Sequence, residues 1–298
     1  MNYYTSIKNE LINNEVYKSV KDYSKNRSDL KTYYNVGKLL SEAGKHYGEG
    51  IIKEYSRKLT IEVGKKYSTR LLYKMLKFYN FLLDEKVPTL SAKLSWSHYE
   101  ELLPLKDINE INYYIDITEK NNLGVRALRE KIKNKEYERL STETKEKLKN
   151  GDKLEIGNTI KNEIIIYSNK ELNSEDISEK ALQNIILEDI DLFLEQLGEG
   201  YCYIKSEYKI MIGSRPNYID LLLFNIKFKC YVVVELKVTE LKKEHIGQIE
   251  VYMNYINENV KDINHNKTIG IIICKKDNKY IMHYINNNNI YRSTYLIK

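Results

Sequence analysis

Residues 217–237, Asn-Tyr-Ile-Asp-Leu-Leu-Leu-Phe-Asn-Ile-Lys-Phe-Lys-Cys-Tyr-Val-Val-Val-Glu-Leu-Lys, hold two apolar, β-rich runs on either side of a short basic turn. Charge interrupts both runs: Asp220 in the first, Glu235 and Lys237 in the second. A charge in a buried strand is costly unless it is paired or binds a metal. Side chains alternate along a strand, so Glu235 and Lys237 share a face, with Cα atoms roughly 6.6 Å apart. If the runs pair as an antiparallel hairpin, Asp220 comes opposite the Glu235 end. Two carboxylates and one ammonium then meet on a rigid sheet surface.

Paired carboxylates on adjacent strands can hold Mg²⁺ or Mn²⁺ through oxygen ligands. Such an ion can lower the pKa of a bound water and stabilise charge on a phosphate during in-line displacement. Lys237 can orient or deprotonate that water, or neutralise a phosphorane-like transition state. A lysine flanked by carboxylates keeps its proton, which favours the electrostatic role. The competing reading is a buried structural ion pair between Glu235 and Lys237. Asp220, the Glu-x-Lys spacing and the order of elements around them favour a site.

The second half of the chain has a mixed α/β pattern. One long helix over 175–197 is expected, closed by Gly198 and Gly200, then strands at 201–211, 217–224 and 230–237. A helix at 242–257 and strands at 268–274 and 279–285 complete a mixed sheet with helices on its faces. Residues 141–172 are polar apart from Ile164–Tyr167 and read as a connector. The expected organisation is a helical, basic domain over 1–145, a connector over 146–172 and an α/β domain over 173–298.

The first half reads as helices, at 5–24, 29–46, 50–63, 69–85, after Ser95, at 107–121 and at 124–140. It carries 29 Lys and Arg against 21 Asp and Glu, a net +8, whereas residues 151–298 carry 19 against 21, a net −2. The basic half is a candidate for polyanion contact, with a solvated surface as the plainer alternative. The helix at 50–63, the turn with Lys65 and Lys66, and a helix bearing Arg70, Lys74 and Lys77 resemble a helix-turn-helix. In the last of these helices, Arg126, Arg129, Lys131, Lys133, Lys135 and Arg139 could track a phosphate backbone. His98, His245 and Arg215 have no partner at a diagnostic spacing; His98 reads as a packed or capping residue.

Cys202, Cys230 and Cys274 form no C-x-x-C pair, which fits a reducing cytoplasm and no structural zinc. No apolar run approaches the length of a membrane span, and no N-terminal pattern reads as a signal peptide. No P-loop, G-x-G-x-x-G, G-x-S-x-G or H-E-x-x-H motif occurs, which argues against nucleotide-driven, serine-hydrolase and zinc-hydrolase chemistry.

Asp220…Glu235-Leu236-Lys237 is similar to the signature of the PD-(D/E)XK nuclease superfamily, and the order of elements is similar to its restriction-endonuclease-like αβββαβ core. Gln248 and Tyr252 resemble a Gln-x-x-x-Tyr motif of several branches. Phe193-Leu194-Glu195-Gln196-Leu197-Gly198, Tyr218-Ile219-Asp220-Leu221-Leu222, Val234-Glu235-Leu236-Lys237 and Ile246-Gly247-Gln248 resemble the YhcG-type family of PD-(D/E)XK nuclease-domain proteins. So do Tyr47-Gly48, Phe78-Tyr79, Leu94-Ser95-Trp96-Ser97-His98-Tyr99 and Tyr137-Glu138-Arg139-Leu140 in the helical half.

The resemblance implies a DNA endonuclease with a DNA-binding N-terminal domain, often linked to mobile DNA or defence. It implies that Asp220 and Glu235 bind the metal and that Gln248 and Tyr252 line the site. Members often carry a Glu near the position of the site-lining Gln183; if that Glu is a metal ligand there, Gln183 would weaken the metal complement here. Neither Glu188 nor Asp191 is assigned that role. Ile219 stands where the superfamily name has proline. A symmetric homodimer cutting both strands suits a single-site nuclease. The alternative function is a DNA-binding or assembly protein that retains the fold without catalysis, and a third is an RNA-directed nuclease.

Overall fold

The computed structural model describes residues 2–19, 25–48, 50–63, 67–83, 93–168, 177–278, 280–281 and 287–298. The chain divides into two compact units, Met1–Tyr137 and Glu138–Lys298.

The first unit holds helices α1 (Tyr3–Ser19), α2 (Lys25–Tyr47), α3 (Ile51–Glu62), α4 (Thr69–Leu83), α5 (Trp96–Leu102), α6 (Ile108–Asn121) and α7 (Val125–Lys133). Ile7, Leu11, Val36, Leu40, Leu59, Leu72 and Met75 recur at helical spacing and bury together as its core. His98 has a structural role at the start of α5. The Ser95 backbone N–H donates to its Nδ1 at 3.0 Å, leaving Nε2 to donate to the Leu123 carbonyl oxygen at 3.0 Å.

The basic helix expected over 124–140 stops at Lys133. The N–H of Asn134 closes on Glu130, and Lys135 takes a left-handed φ of 52° that a continuing helix excludes. Arg139 is therefore not on a phosphate-tracking face. It is buried in the second unit, where its guanidinium donates to the Glu163 carbonyl oxygen and to Gln196 Oε1. The turn at 64–66, with Lys65 and Lys66, lies outside the described residues.

In the second unit, α8 (Thr142–Asn150), α9 (Ile156–Thr159) and strand β1 (Glu163–Ile166) occupy much of the span expected as a connector. Then follow α10 (Glu179–Glu188), α11 (Ile190–Leu197), β2 (Tyr201–Ile212), β3 (Arg215–Asn225), β4 (Cys230–Glu240), α12 (Lys243–Asn259), β5 (Ile269–Lys276) and β6 (Ile290–Ile297). Among the described residues these strands form one sheet in the order β1-β6-β5-β4-β3-β2. β2, β3 and β4 pair antiparallel, and β4, β5, β6 and β1 pair parallel. The expected αβββαβ core is present.

Alternation along β4 divides the sheet into two faces. Val232, Val234 and Leu236 pack with Leu182, Ile186 and Phe193 of α10 and α11. Val233 joins Ile249, Tyr252 and Met253 of α12 on the opposite face. Gly270 of β5 permits that contact, because a Cβ there would lie 2.7 Å from both Ile249 Cδ1 and Met253 Sδ.

The structure departs from the expected elements at two further places. The long helix expected over 175–197 breaks at Asp189, whose φ of −142° and ψ of 69° are not helical. Its carboxylate accepts from the Leu192 N–H at 3.1 Å and caps a new helix, a local competition that Asp side chains favour. The strand expected at 279–285 falls largely outside the described residues, and residues 280–281 are helical. The strand that closes this side is β6, and β1 pairs with it from Glu163↔Thr294 to Ile166↔Ile297.

Candidate active site

The β3–β4 ladder runs from Asn225↔Cys230 to Leu221↔Val234 and ends there, with Asp220 next on one strand and Glu235 next on the other. Past this point the Leu236 N–H donates not to a strand carbonyl but to Asp220 Oδ2, at 2.8 Å. The carboxylate of one strand thus binds the backbone of its neighbour where the ladder stops. The expected opposition of Asp220 and Glu235 is what the register produces.

Glu235 is 1% exposed. Its Oε2 lies 3.4 Å from Lys237 Nζ, and its Oε1 is buried without a hydrogen-bond partner among the described residues. Burial, with the Asp220 charge beside it, pushes the Glu235 carboxyl up to about 8, and Lys237 offsets this only in part. Asp220 is also held above the usual carboxylate range, chiefly by burial, against the pull of the Leu236 N–H and Lys237. Burial works to lower the Lys237 pKa, but the charges of Glu235, Glu179 and Asp220 together outweigh it and hold the ammonium protonated.

Glu179 is the residue that the sequence reading missed. Its Oε2 lies 3.4 Å from Lys237 Nζ, so α10 does bring a carboxylate to the site. It stands one turn before Gln183, on the same face of α10. The i, i+4 relation to Gln183 was the available signal. A Glu right after the N-cap Ser178 also reads as an ordinary helix start, which concealed it.

Gln183 is buried and hydrogen-bonded through both ends of its amide. Its Nε2 donates to the Asp220 carbonyl oxygen at 2.8 Å, and its Oε1 accepts from Lys180 Nζ at 2.8 Å. The reason lies in the neighbouring strand. β2 pairs with β3 at Ser206↔Leu221 and at Tyr208↔Ile219, but Glu207 between them takes a left-handed φ of 48° and leaves the ladder opposite Asp220. The Gln183 amide replaces the lost strand donor. Gln183→Met should leave that carbonyl unsatisfied and lower unfolding stability by about 1–3 kcal/mol. An unchanged urea midpoint would show that the bond contributes nothing.

Gln248 and Tyr252 lie on α12, and Gln248 Nε2 donates to the Tyr252 hydroxyl oxygen at 3.1 Å. Burial raises the Tyr252 pKa, the Gln248 bond opposes this, and the charges of Glu235, Lys237 and Asp220 reach it. Burial and the Lys237 charge lower the His245 pKa, and its Nδ1 accepts the Lys242 N–H at 3.1 Å. Among the described residues no group of three His, Cys, Asp or Glu side chains forms a ready-made metal cage.

Of the cations expected to meet nucleic acid, Arg70, Lys77 and Arg126 are exposed. Lys74 is paired with Glu100 at 2.6 Å and Arg129 with Glu101 at 2.7 Å. Neither acidic partner followed from the helix that carries the cation. No described helix is long and apolar enough to cross a membrane.

Comparison with known proteins covers both units. Residues 159–298 match the model of the YhcG PDDEXK nuclease domain, and residues 9–139 match that of the DUF1016 N-terminal domain. The chain is similar to "Putative nuclease YhcG" of Escherichia coli (strain K12), with 26% identity over 297 residues, 85% of this chain and 78% of that protein. A repair endonuclease from Pyrococcus abyssi superposes with a TM-score of 0.30 at 18% identity, over 40% of this chain and 47% of that one. A complex of EndoMS with double-stranded DNA gives a TM-score of 0.31 at 18% identity, over 43% of this chain and 47% of that one. The chain thus spans about half the length of either solved chain.

Proposed function

Because this chain belongs to the YhcG-type family of PD-(D/E)XK nuclease-domain proteins, we propose that it is a Mg²⁺- or Mn²⁺-dependent DNA endonuclease. The observation that carries this reading is Glu235, a buried carboxylate with one oxygen unpartnered among the described residues, beside a second, half-buried carboxylate, Asp220. Such an arrangement is unfavourable in an empty protein and favourable around a hard divalent cation. Asp220 and Glu235 would hold that cation, and the all-oxygen donor set fits it. When bound, the ion supplies a more acidic water and a counter-charge for the phosphate.

The chain's own residues do the rest. The Leu236 N–H fixes Asp220 Oδ2 and leaves Oδ1 for the ion, while Gln183 pins the Asp220 backbone. Lys237 keeps its proton, so it acts as a fixed cation that orients water and stabilises charge developing on the phosphate. Glu179 tethers that ammonium from the helix side. Gln248 and Tyr252 line the same face and position the nucleic-acid strand.

In this reading the helical, basic part over 1–145 binds duplex DNA, and 173–298 carries the chemistry. Arg70, Lys77 and Arg126 are exposed for phosphate contact, whereas Lys74 and Arg129 must leave glutamate partners to take part. Replacing Arg70, Lys77 and Arg126 together by Ala should reduce the slope of log K against log salt by about 2–3. An unchanged slope in a salt titration of binding would remove these residues from the interface. The free thiols of Cys202, Cys230 and Cys274 support a cytoplasmic setting. One site per chain makes a homodimer the arrangement that would cut both strands.

The test is cleavage of plasmid, branched DNA and RNA by the folded chain with Mg²⁺, Mn²⁺ or EDTA. Metal-dependent nicking or linearisation of DNA is expected. Cleavage of RNA alone would redirect the substrate. No cleavage of any substrate would leave a DNA-binding or assembly protein that retains the nuclease fold.

A further inference from the structure

The β2–β3 hairpin continues beyond Asp220 as an arm that bears an exposed apolar and cationic face. Its two sides differ. On one, Ile210 and Ile219 are fully buried against Leu241 and Ile246, which anchors the arm beside α12. On the other, the cross-strand neighbours Lys209↔Tyr218 and Met211↔Pro216 are all exposed, with Tyr218 at 47% and Met211 at 43%. Residues 211–216 form a continuous exposed run around a two-residue turn, where Gly213 takes the left-handed φ of 62° that glycine tolerates. Lys209 and Arg215 have no acidic partner among the described residues.

Tyr218, Met211 and Ile212 together make an exposed apolar patch flanked by cations, the kind of surface that marks an interaction site. Nothing in the core requires it. Charge complementarity and the position of Tyr218 on the same strand as Asp220 point to the substrate strand as its occupant. The arm offers few hydrogen-bonding groups for reading base edges in an intact major groove. It does offer what an unstacked base binds, a flat aromatic face with cations for the flanking phosphates.

We infer that this arm receives an unpaired base beside the scissile phosphate, so that the substrate class is DNA at a fork, flap or other duplex-to-single-strand junction. This rests on the nuclease reading given above. Tyr218 stands two residues from Asp220, roughly 6.6 Å along the strand. That separation is on the scale of one or two nucleotides, which places the stacked base within about one to three nucleotides of the cut.

The experiment measures binding, so it does not depend on turnover. The full-length Asp220→Asn chain is mixed in Mg²⁺ with forked DNA carrying 2-aminopurine in the unpaired strand, one to three nucleotides from the junction, and with the matched duplex. Tighter binding of the fork and a change in 2-aminopurine fluorescence on binding are expected. Adding Tyr218→Ala should lower fork affinity about five-fold or more and remove the fluorescence change. Tyr218→Phe should keep both. Equal affinity for fork and duplex, or a fluorescence change indifferent to Tyr218→Ala, overturns the arm's role and leaves the nuclease reading untouched. Failure of the wild type to cleave any substrate would remove the nuclease reading while these binding results still decide the arm.

Discussion

Asp220→Asn is expected to lower metal-dependent DNA cleavage by roughly 10²–10³-fold or more while the protein stays folded. The substitution changes charge and little else. An asparagine amide oxygen can still accept the Leu236 N–H that Asp220 Oδ2 accepts at 2.8 Å. Gln183 binds the backbone carbonyl of residue 220, which the substitution leaves in place. The anion that would hold the cation is lost, and so is the repulsion it exerts on Glu235. Removing a buried charge that burial disfavours should leave the melting temperature unchanged or raised, so lost activity could not be ascribed to misfolding. Cleavage of plasmid DNA by the purified variant at the wild-type rate would sink the assignment of this carboxylate.

Glu235→Gln should raise the melting temperature of the metal-free protein at pH 8 by about 5 °C or more, and should abolish the response to Mg²⁺. The Glu235 carboxyl is pushed from 4.5 up to about 8 in the folded chain. Between those values the folded state holds a proton that the unfolded chain has released. Its contribution to stability is therefore fully present below pH 4.5 and is lost as pH rises through 8. Asp220, also raised, works in the same direction. His245 is depressed and works in the opposite direction as pH falls below its usual 6.5, so the clean window is pH 6.5–9. Lys237 is held protonated across that window by Glu179 and Asp220, joined by Glu235 once that carboxyl ionises.

From pH 6.5 to about 8 the wild type should lose about 2 kcal/mol in the absence of metal, at up to about 1.4 kcal/mol for each unit of pH, and the profile should level off above 8, where the folded carboxyl has ionised too. Mg²⁺ should restore much of that loss, because a cation replaces the proton. Glu235→Gln should show a flatter profile and no Mg²⁺ effect. Melting curves at several pH values, with and without Mg²⁺, make the comparison. A variant less stable than wild type at every pH, with the same slope, would show that Glu235 serves as a structural partner of Lys237.

Much of the fold was legible because it is written in short-range alternation. Charges at 220, 235 and 237 stand out against Leu221-Leu222-Leu223 and Val232-Val233-Val234, and strand geometry alone brings them together. The helix carrying Gln248 and Tyr252 follows from apolar spacing. Other features had weaker local signals. β6 has an irregular burial pattern, and β1 is four residues long. Asp189 breaks a periodic helical pattern through one side-chain bond, which periodicity does not register.

The sequence by itself determined the α/β class, the hairpin and the three charged groups of the site, because strand pairing between neighbouring runs depends on residues close together in the chain. Only the tertiary structure decided what surrounds those groups. Glu179 reaches Lys237 across 58 positions, and Gln183 reaches the Asp220 carbonyl across 37. Lys74 and Arg129 meet Glu100 and Glu101 on another helix. Such contacts depend on how α10 crosses the sheet and how helices face one another, and no local spacing encodes that. The physical reason is the same in each case. Alternation says which face a side chain takes, whereas its partner is chosen by packing between elements, and packing brings to Asp220 and Glu235 the residues that hold them.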